Sequence, residues 1–310
     1  MKHSLKIVVL LLLMFLATQL LGLVVADVYA ANNDNIPFGM NPPANTNPTT
    51  TLISIVFAIT FAVLLMFVLM KFRTELFLRL WFFFVICLAI GITTNALFIK
   101  STLSALSVNL LFSNISLTSF ISILIAIPLA FLKVFKRNIL VHNATELMIY
   151  PGIAAIFIPL LNIWTTVLLL IFISIYDIYA VWHAGFMQKM AKYQIKNLKV
   201  FSGFFIPYLG KKEMDMINSA SKNSKLNKLK GKKIKVNVAI LGGGDVVFPI
   251  ILAGVVLRAI GLSSALFVVF GAVLGLLYLF YTSKKGKFYP AMPFISAGCF
   301  LGLAMAYFIL

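Results

Sequence analysis

Residues 163–186 read IWTTVLLLIFISIYDIYAVWHAGF, a stretch of twenty-four residues whose single acidic side chain, Asp177, sits among apolar neighbours. As a helix it would rise about 36 Å, enough to cross a hydrocarbon core of about 30 Å. Working outward, comparable runs fall near 5–25, 51–70, 78–99, 112–132, 144–161, 236–257, 262–282 and 290–310. The combined length of 144–186 exceeds one span, which puts a break at Asn162. The segment 101–119 is rich in Ser, Thr and Asn, so the fourth run has the least defined start. The bilayer is the main solvent, and helices satisfy the backbone there without water.

Composition agrees. The chain has 310 residues, 62% of them apolar and 11% charged, with mean hydropathy +1.04; soluble domains carry roughly a quarter charged residues. Alternating segments of about ten residues, the mark of a membrane β-barrel, do not occur. The net charge of +18 invites a nucleic-acid reading. It is set aside because the basic residues lie between apolar runs and no recognition module accompanies them.

Basic residues also fix orientation. Lys2 and Lys6 open the first run; Lys71, Arg73 and Arg79 follow the second; Lys133, Lys136 and Arg137 follow the fourth. The connector 188–235 carries thirteen lysines, and Lys284, Lys285 and Lys287 precede the last run. The opposite side holds only Lys100 and Arg258. An all-α polytopic membrane protein of about nine transmembrane helices, N-terminus cytoplasmic, puts every basic cluster on one face. The first run, ending Val28-Tyr29-Ala30, also resembles a cleavable signal peptide, although its apolar stretch is long for one. Residues 1–161 then form a scaffold of five helices, and 162–310 carry four helices and the connector 188–235.

Of eight acidic residues, only Asp177 and Asp245 lie well inside apolar runs. Intramembrane carboxyls are costly and point to function. Asp177 lies twelve residues before Lys189 and Asp245 ten after Lys235. Counted as helix, the two are roughly 18 Å and 15 Å from one membrane face. Antiparallel neighbours would bring them together. Paired carboxyls can share one proton, and such a pair can activate water and protonate an amide without metal or nucleophilic side chain.

Three glycines, Gly242, Gly243 and Gly244, precede Asp245 and permit close approach of another backbone or a water. Tyr289-Pro290-Ala291-Met292-Pro293 opens the last run. It reads equally as a helix start with proline in its first turn or as non-helical chain lining a polar cavity. His142 and Glu146 share an i, i+4 spacing, which suits a cap or interface contact better than a metal site. Cys87 and Cys299 fall in apolar runs and read as packing residues.

Tyr176-Asp177, Gly242-Gly243-Gly244-Asp245 and Pro290-Ala291-Met292 resemble, in order and spacing, the YD, GxGD and PAL motifs of the presenilin and signal peptide peptidase family. Val246-Val247-Phe248-Pro249 is similar to the signal peptide peptidase branch and its microbial relatives. The resemblance spans roughly 165–310. It implies an intramembrane aspartyl endopeptidase in which Asp177 and Asp245 are catalytic and Tyr176 and Gly242 to Gly244 shape the active site. Pro290, Ala291 and Met292 would contact substrate, and neither metal nor cofactor is involved. Substrates would be transmembrane segments of membrane proteins or signal peptides, in a multi-pass protein of the cell membrane; a homo-oligomer is compatible with the sequence. Met292 replaces the family's usual leucine at similar volume, and Gly243 is smaller than the family's common residue there.

The sequence lacks the HExxH of a zinc enzyme and a serine–histidine pair on adjacent spans. Prepilin peptidases share a GxGD aspartate but not the PAL-like segment. A proton-coupled transporter is the alternative of a different class; it would favour repeats between the two halves, and none is evident. A membrane chaperone holding helices in the same groove is a third reading.

Overall fold

The computed structural model describes residues 5–32, 35–42, 47–71, 75–99, 107–110, 113–136, 138–182, 202–209, 236–283 and 289–309. The helices in chain order are α1 (Leu5–Ala31), α2 (Pro48–Lys71), α3 (Glu75–Phe98), α4 (Leu117–Phe135), α5 (Ile139–Phe157) and α6 (Ile163–Trp182). They continue with α7 (Gly243–Ala259), α8 (Leu262–Thr282) and α9 (Met292–Ile309). Two antiparallel hairpins interrupt them: β1 (Ser107–Leu110) with β2 (Ser113–Ser116), and β3 (Gly203–Leu209) with β4 (Val236–Gly242). Among the described residues, seven of the nine helices are long and apolar enough to cross a membrane; α2 contributes an apolar stretch over Thr49–Leu65, and α7 is seventeen residues long. Most of the lysine-rich connector, Lys100, Arg137 and 284–288 lie outside the described residues.

Local chemistry explains the boundaries. At the expected break, Asn162 and Thr165 exchange bonds: Thr165 N donates to Asn162 Oδ1 (2.9 Å), and Asn162 N donates to Thr165 Oγ1 (3.0 Å). This reciprocal cap satisfies backbone donors that the first turn of α6 leaves open. Asn138 caps α5 through Leu140 N (2.9 Å). The fourth run differs from expectation: 113–116 pair with 107–110 as strands and the helix begins at Leu117, capped by Ser116.

The larger departure is in the seventh run. Its first seven residues, Val236–Gly242, are strand rather than helix, paired from Leu209↔Val236 to Gly203↔Gly242. Val236, Val238 and Ile240 suit a pleated surface, and the glycines that follow resist continuing the strand. Strand rises about 3.3 Å per residue, so counting this stretch as helix understated its reach.

At the centre stands α7, packed against α1, α5, α6, α8 and α9. Its Val246, Ile250, Leu252, Ala253 and Val256 are fully buried, as expected of a helix with no solvent face. α1 packs against it and buries Leu11, Phe15 and Gln19, so the first run is part of the bundle. The outer faces stay apolar. Ile53, Phe57, Leu168, Ile175 and Tyr307 are exposed, as a lipid-facing rim requires.

Candidate active site

The buried face of α6 repeats through Thr166, Leu170, Ile173, Asp177 and Ala180, the 4-3-4-3 spacing of one helical stripe. Asp177 is therefore carried inward, 3% exposed. Its Oδ2 accepts the backbone N–H of Met292 at 3.1 Å, and the N–H of Ala291 is a second donor. Met292 is the first residue of α9, whose first-turn N–H groups lack helical partners. Asp177 thus supplies the acceptor that this helix end needs, and the positive end of the helix dipole favours it. One turn earlier on α6, Ser174 Oγ donates to Ser296 Oγ at 3.0 Å and pins the same two helices.

Of the two readings of 289–293, the structure shows the helix start: Pro293 sits in the first turn of α9, Tyr289 to Ala291 before it are non-helical, and the chain meets Asp177 at Met292. Having no N–H, Pro293 removes a donor that would otherwise be left open there. Tyr176, next to Asp177, is half-buried.

The second carboxyl arrives from the hairpin. β4 runs without a connecting residue into α7, where Asp245 is the third residue. It folds back on the backbone N–H of Gly242, the residue that caps α7. A Cβ at Gly242 would stand 3.1 Å from Asp245 Oδ2. A Cβ at Gly243 would meet Ser202 Oγ at 2.8 Å and the Tyr150 ring at 2.9 Å, whereas one at Gly244 meets only Phe248 at 3.6 Å. Gly243 is the sterically tight position, where Tyr150 and Ser202 fill the room that a side chain would take; a Cβ at Gly242 would press only on the flexible end of the Asp245 side chain. Asp245 is half-buried, and the two carboxyls are close enough to interact electrostatically.

Sequence reasoning missed the supports. Gln19 of α1 donates Nε2–H to Val246 O at 3.0 Å, tying α1 to the residue after Asp245. Pro249 has no N–H to return to the Asp245 carbonyl, so this turn of α7 is short of its own hydrogen bonds. Contacts across 227 residues leave no local periodicity to find. Lys133, read as a loop lysine, is 7% exposed and forms a buried ion pair with Glu146. Among the described residues, no group of three His, Cys, Asp or Glu side chains is placed to hold a metal ion.

The arrangement offers two neighbouring carboxyls, one held by helix-end N–H groups and the other partly accessible, flanked by exposed Gly244. Comparison with known proteins points the same way. A family model described as signal-peptide peptidase, presenilin aspartyl protease matches residues 12–310. A solved presenilin family intramembrane aspartate protease in space group C222 superposes with TM-score 0.62 at 18% identity, covering 98% of this chain and 99% of that one. The structure of such a protease in space group P2 gives TM-score 0.58 at 18% identity, covering 97% of each chain. No curated protein matches the sequence.

Proposed function

The chain belongs to the signal-peptide peptidase and presenilin aspartyl protease family, an intramembrane aspartic endopeptidase by that membership, and we propose that Asp177 and Asp245 are its catalytic pair. The observation that carries this is the convergence of two carboxyls from α6 and α7 beside the start of α9, within the bundle. The transporter alternative has no support from family or fold.

In the singly protonated pair, one carboxylate takes a proton from water as its oxygen adds to the scissile carbonyl carbon. The other carboxyl gives its proton to the carbonyl oxygen. The tetrahedral adduct then collapses: its C–N bond breaks, the amine leaves with a proton, and the pair returns to one proton. Such chemistry needs an extended substrate backbone, since a helical segment hides its peptide bonds. The β4 edge, where Val238 and Ile240 are exposed, runs directly to Asp245 and offers main-chain partners for an unwound segment.

Residues 162–310 then carry the reacting groups and 1–161 their supports. The distribution of lysine and arginine supports a cytoplasmic N-terminus and connector in the cell membrane. Substrates would be transmembrane segments, including those of signal peptides.

The direct test uses purified protein in liposomes with a labelled single-span peptide in water enriched in heavy oxygen. The expected products are two fragments, the new C-terminus carrying heavy oxygen; an intact peptide would sink the proposal. Activity should also be bell-shaped in pH, because the pair works only with one proton and fails with two or none. A flat profile across the acidic to neutral range would exclude a shared proton.

A further inference from the structure

Outside the carboxyl pair, a polar cluster among the described residues joins α4, α5 and β3. Four side-chain contacts run from two positions of one strand to one face of α5. His142 Nε2 lies 2.8 Å from Gly203 O, and Glu146 Oε1 accepts Gly203 N–H at 3.2 Å. Asn143 Nδ2 donates to Phe205 O at 3.0 Å while its Oδ1 accepts Phe205 N–H at 3.0 Å. His142, Asn143 and Glu146 lie within about one helical turn. Gly203 and Phe205 therefore point their main-chain groups away from β4, and Pro207, next in that phase, has no N–H to offer. The outer edge of β3 is closed by side chains rather than by another strand.

The same face reaches toward Asp245. Glu146 is fully buried and paired with Lys133 of α4, which offsets its charge. One turn further along α5, Tyr150 is buried edge-on against Phe204 of β3, with ring centroids 5.6 Å apart. Its ring also stands against Gly243. A shift of β3 is passed through the pairing to β4, and β4 runs straight into the turn that bears Asp245.

We propose that the His142–Asn143–Glu146 face of α5, charge-paired through Lys133, is a latch that clamps the β3–β4 hairpin and so sets the position of Asp245. These are positioning residues, not reacting ones. The inference rests on Asp245 being catalytic, as proposed above.

The test compares wild type with Asn143→Leu and Asn143→Asp in the full-length protein. It reads thermal midpoint, backbone hydrogen exchange of 202–209 and 236–242 by mass spectrometry, and kcat and KM for the labelled peptide. Asn143→Leu removes both bonds to Phe205; Asn143→Asp keeps the acceptor and should fall between it and wild type. Exchange across the hairpin should accelerate in Asn143→Leu while the helices keep wild-type protection. Because misplacing a reacting group by about 1 Å can cost on the order of a hundred-fold, kcat should drop roughly ten- to a hundred-fold. Unchanged hairpin exchange would overturn the latch. Faster exchange with wild-type kcat would overturn its link to Asp245, and so would loss of activity that follows a general fall in midpoint in both variants. Absence of cleavage by wild type would count against the catalytic pair instead, and the exchange measurement would still decide whether α5 holds the hairpin.

Discussion

Asp177→Asn and Asp245→Asn will each abolish cleavage while leaving the protein folded. The substitution keeps volume and shape and removes one exchangeable proton site. In Asp177→Asn the new amide oxygen still accepts the N–H of Met292, so the junction of α6 and α9 survives. In Asp245→Asn the amide oxygen likewise keeps an acceptor for Gly242. Removing one of two neighbouring carboxyls also removes their mutual repulsion, so the thermal midpoint should hold or rise. What is lost is general acid–base function, typically worth about 10²–10⁴-fold for one group. Neither partner can do both jobs, so each single variant should lose at least that much, below detection in an endpoint assay. The checks are product formation, thermal midpoint and retained binding of the uncleaved peptide. Cleavage by either variant at a rate near wild type would falsify the two-carboxyl mechanism.

How much of this the sequence disclosed depended on the range of the interaction. Asp177 was legible because one acid in a twenty-residue apolar helix has no local excuse. The break at Asn162 was legible from span length, and the Asn162–Thr165 cap explains it. The β3–β4 hairpin was not, because Val236–Leu241 is apolar apart from Asn237, without a strict alternation, and only pairing with 203–209 makes it a strand. That error also shifts the depth argument: the segment before Asp245 is extended, so matched helical depths were not what brings the acids together. The junction at Met292 does that for Asp177, and the hairpin does it for Asp245. Lys133 obeyed the positive-inside pattern and was assigned to the loop, yet it is buried on Glu146. The His142–Glu146 spacing leaves a cap and an interface contact equally open; the structure shows the interface, because the partner strand lies some sixty residues further on (His142 to Gly203 is 61).

The second large effect belongs to the seam between α8 and α9. Gly271 and Gly298 face each other so closely that a Cβ on either would strike the carbonyl of the other. A Cβ at Gly275 would strike the Phe294 carbonyl, and one at Gly302 the Phe267 carbonyl. In lipid, helix association depends on such close backbone approach, since burial from water supplies little. Gly298→Ala sets two effects against each other. Alanine gains up to about 1 kcal/mol in helix propensity. Overpacking typically costs about 1–3 kcal/mol, and here the obstacle is backbone rather than a side chain that could rotate. The steric cost therefore wins, and Gly298→Leu should be worse. Because α9 also supplies the Met292 N–H to Asp177, prying it from α8 should reduce cleavage together with the thermal midpoint. Gly91→Ala is the contrast: its nearest obstacle is the edge of the Phe38 ring at 2.9 Å, a side chain that can turn aside. The midpoint should fall clearly for Gly298→Ala, further for Gly298→Leu, and little for Gly91→Ala. A Gly298→Leu protein that melts and cleaves like wild type would mean that the two helices do not meet backbone to backbone.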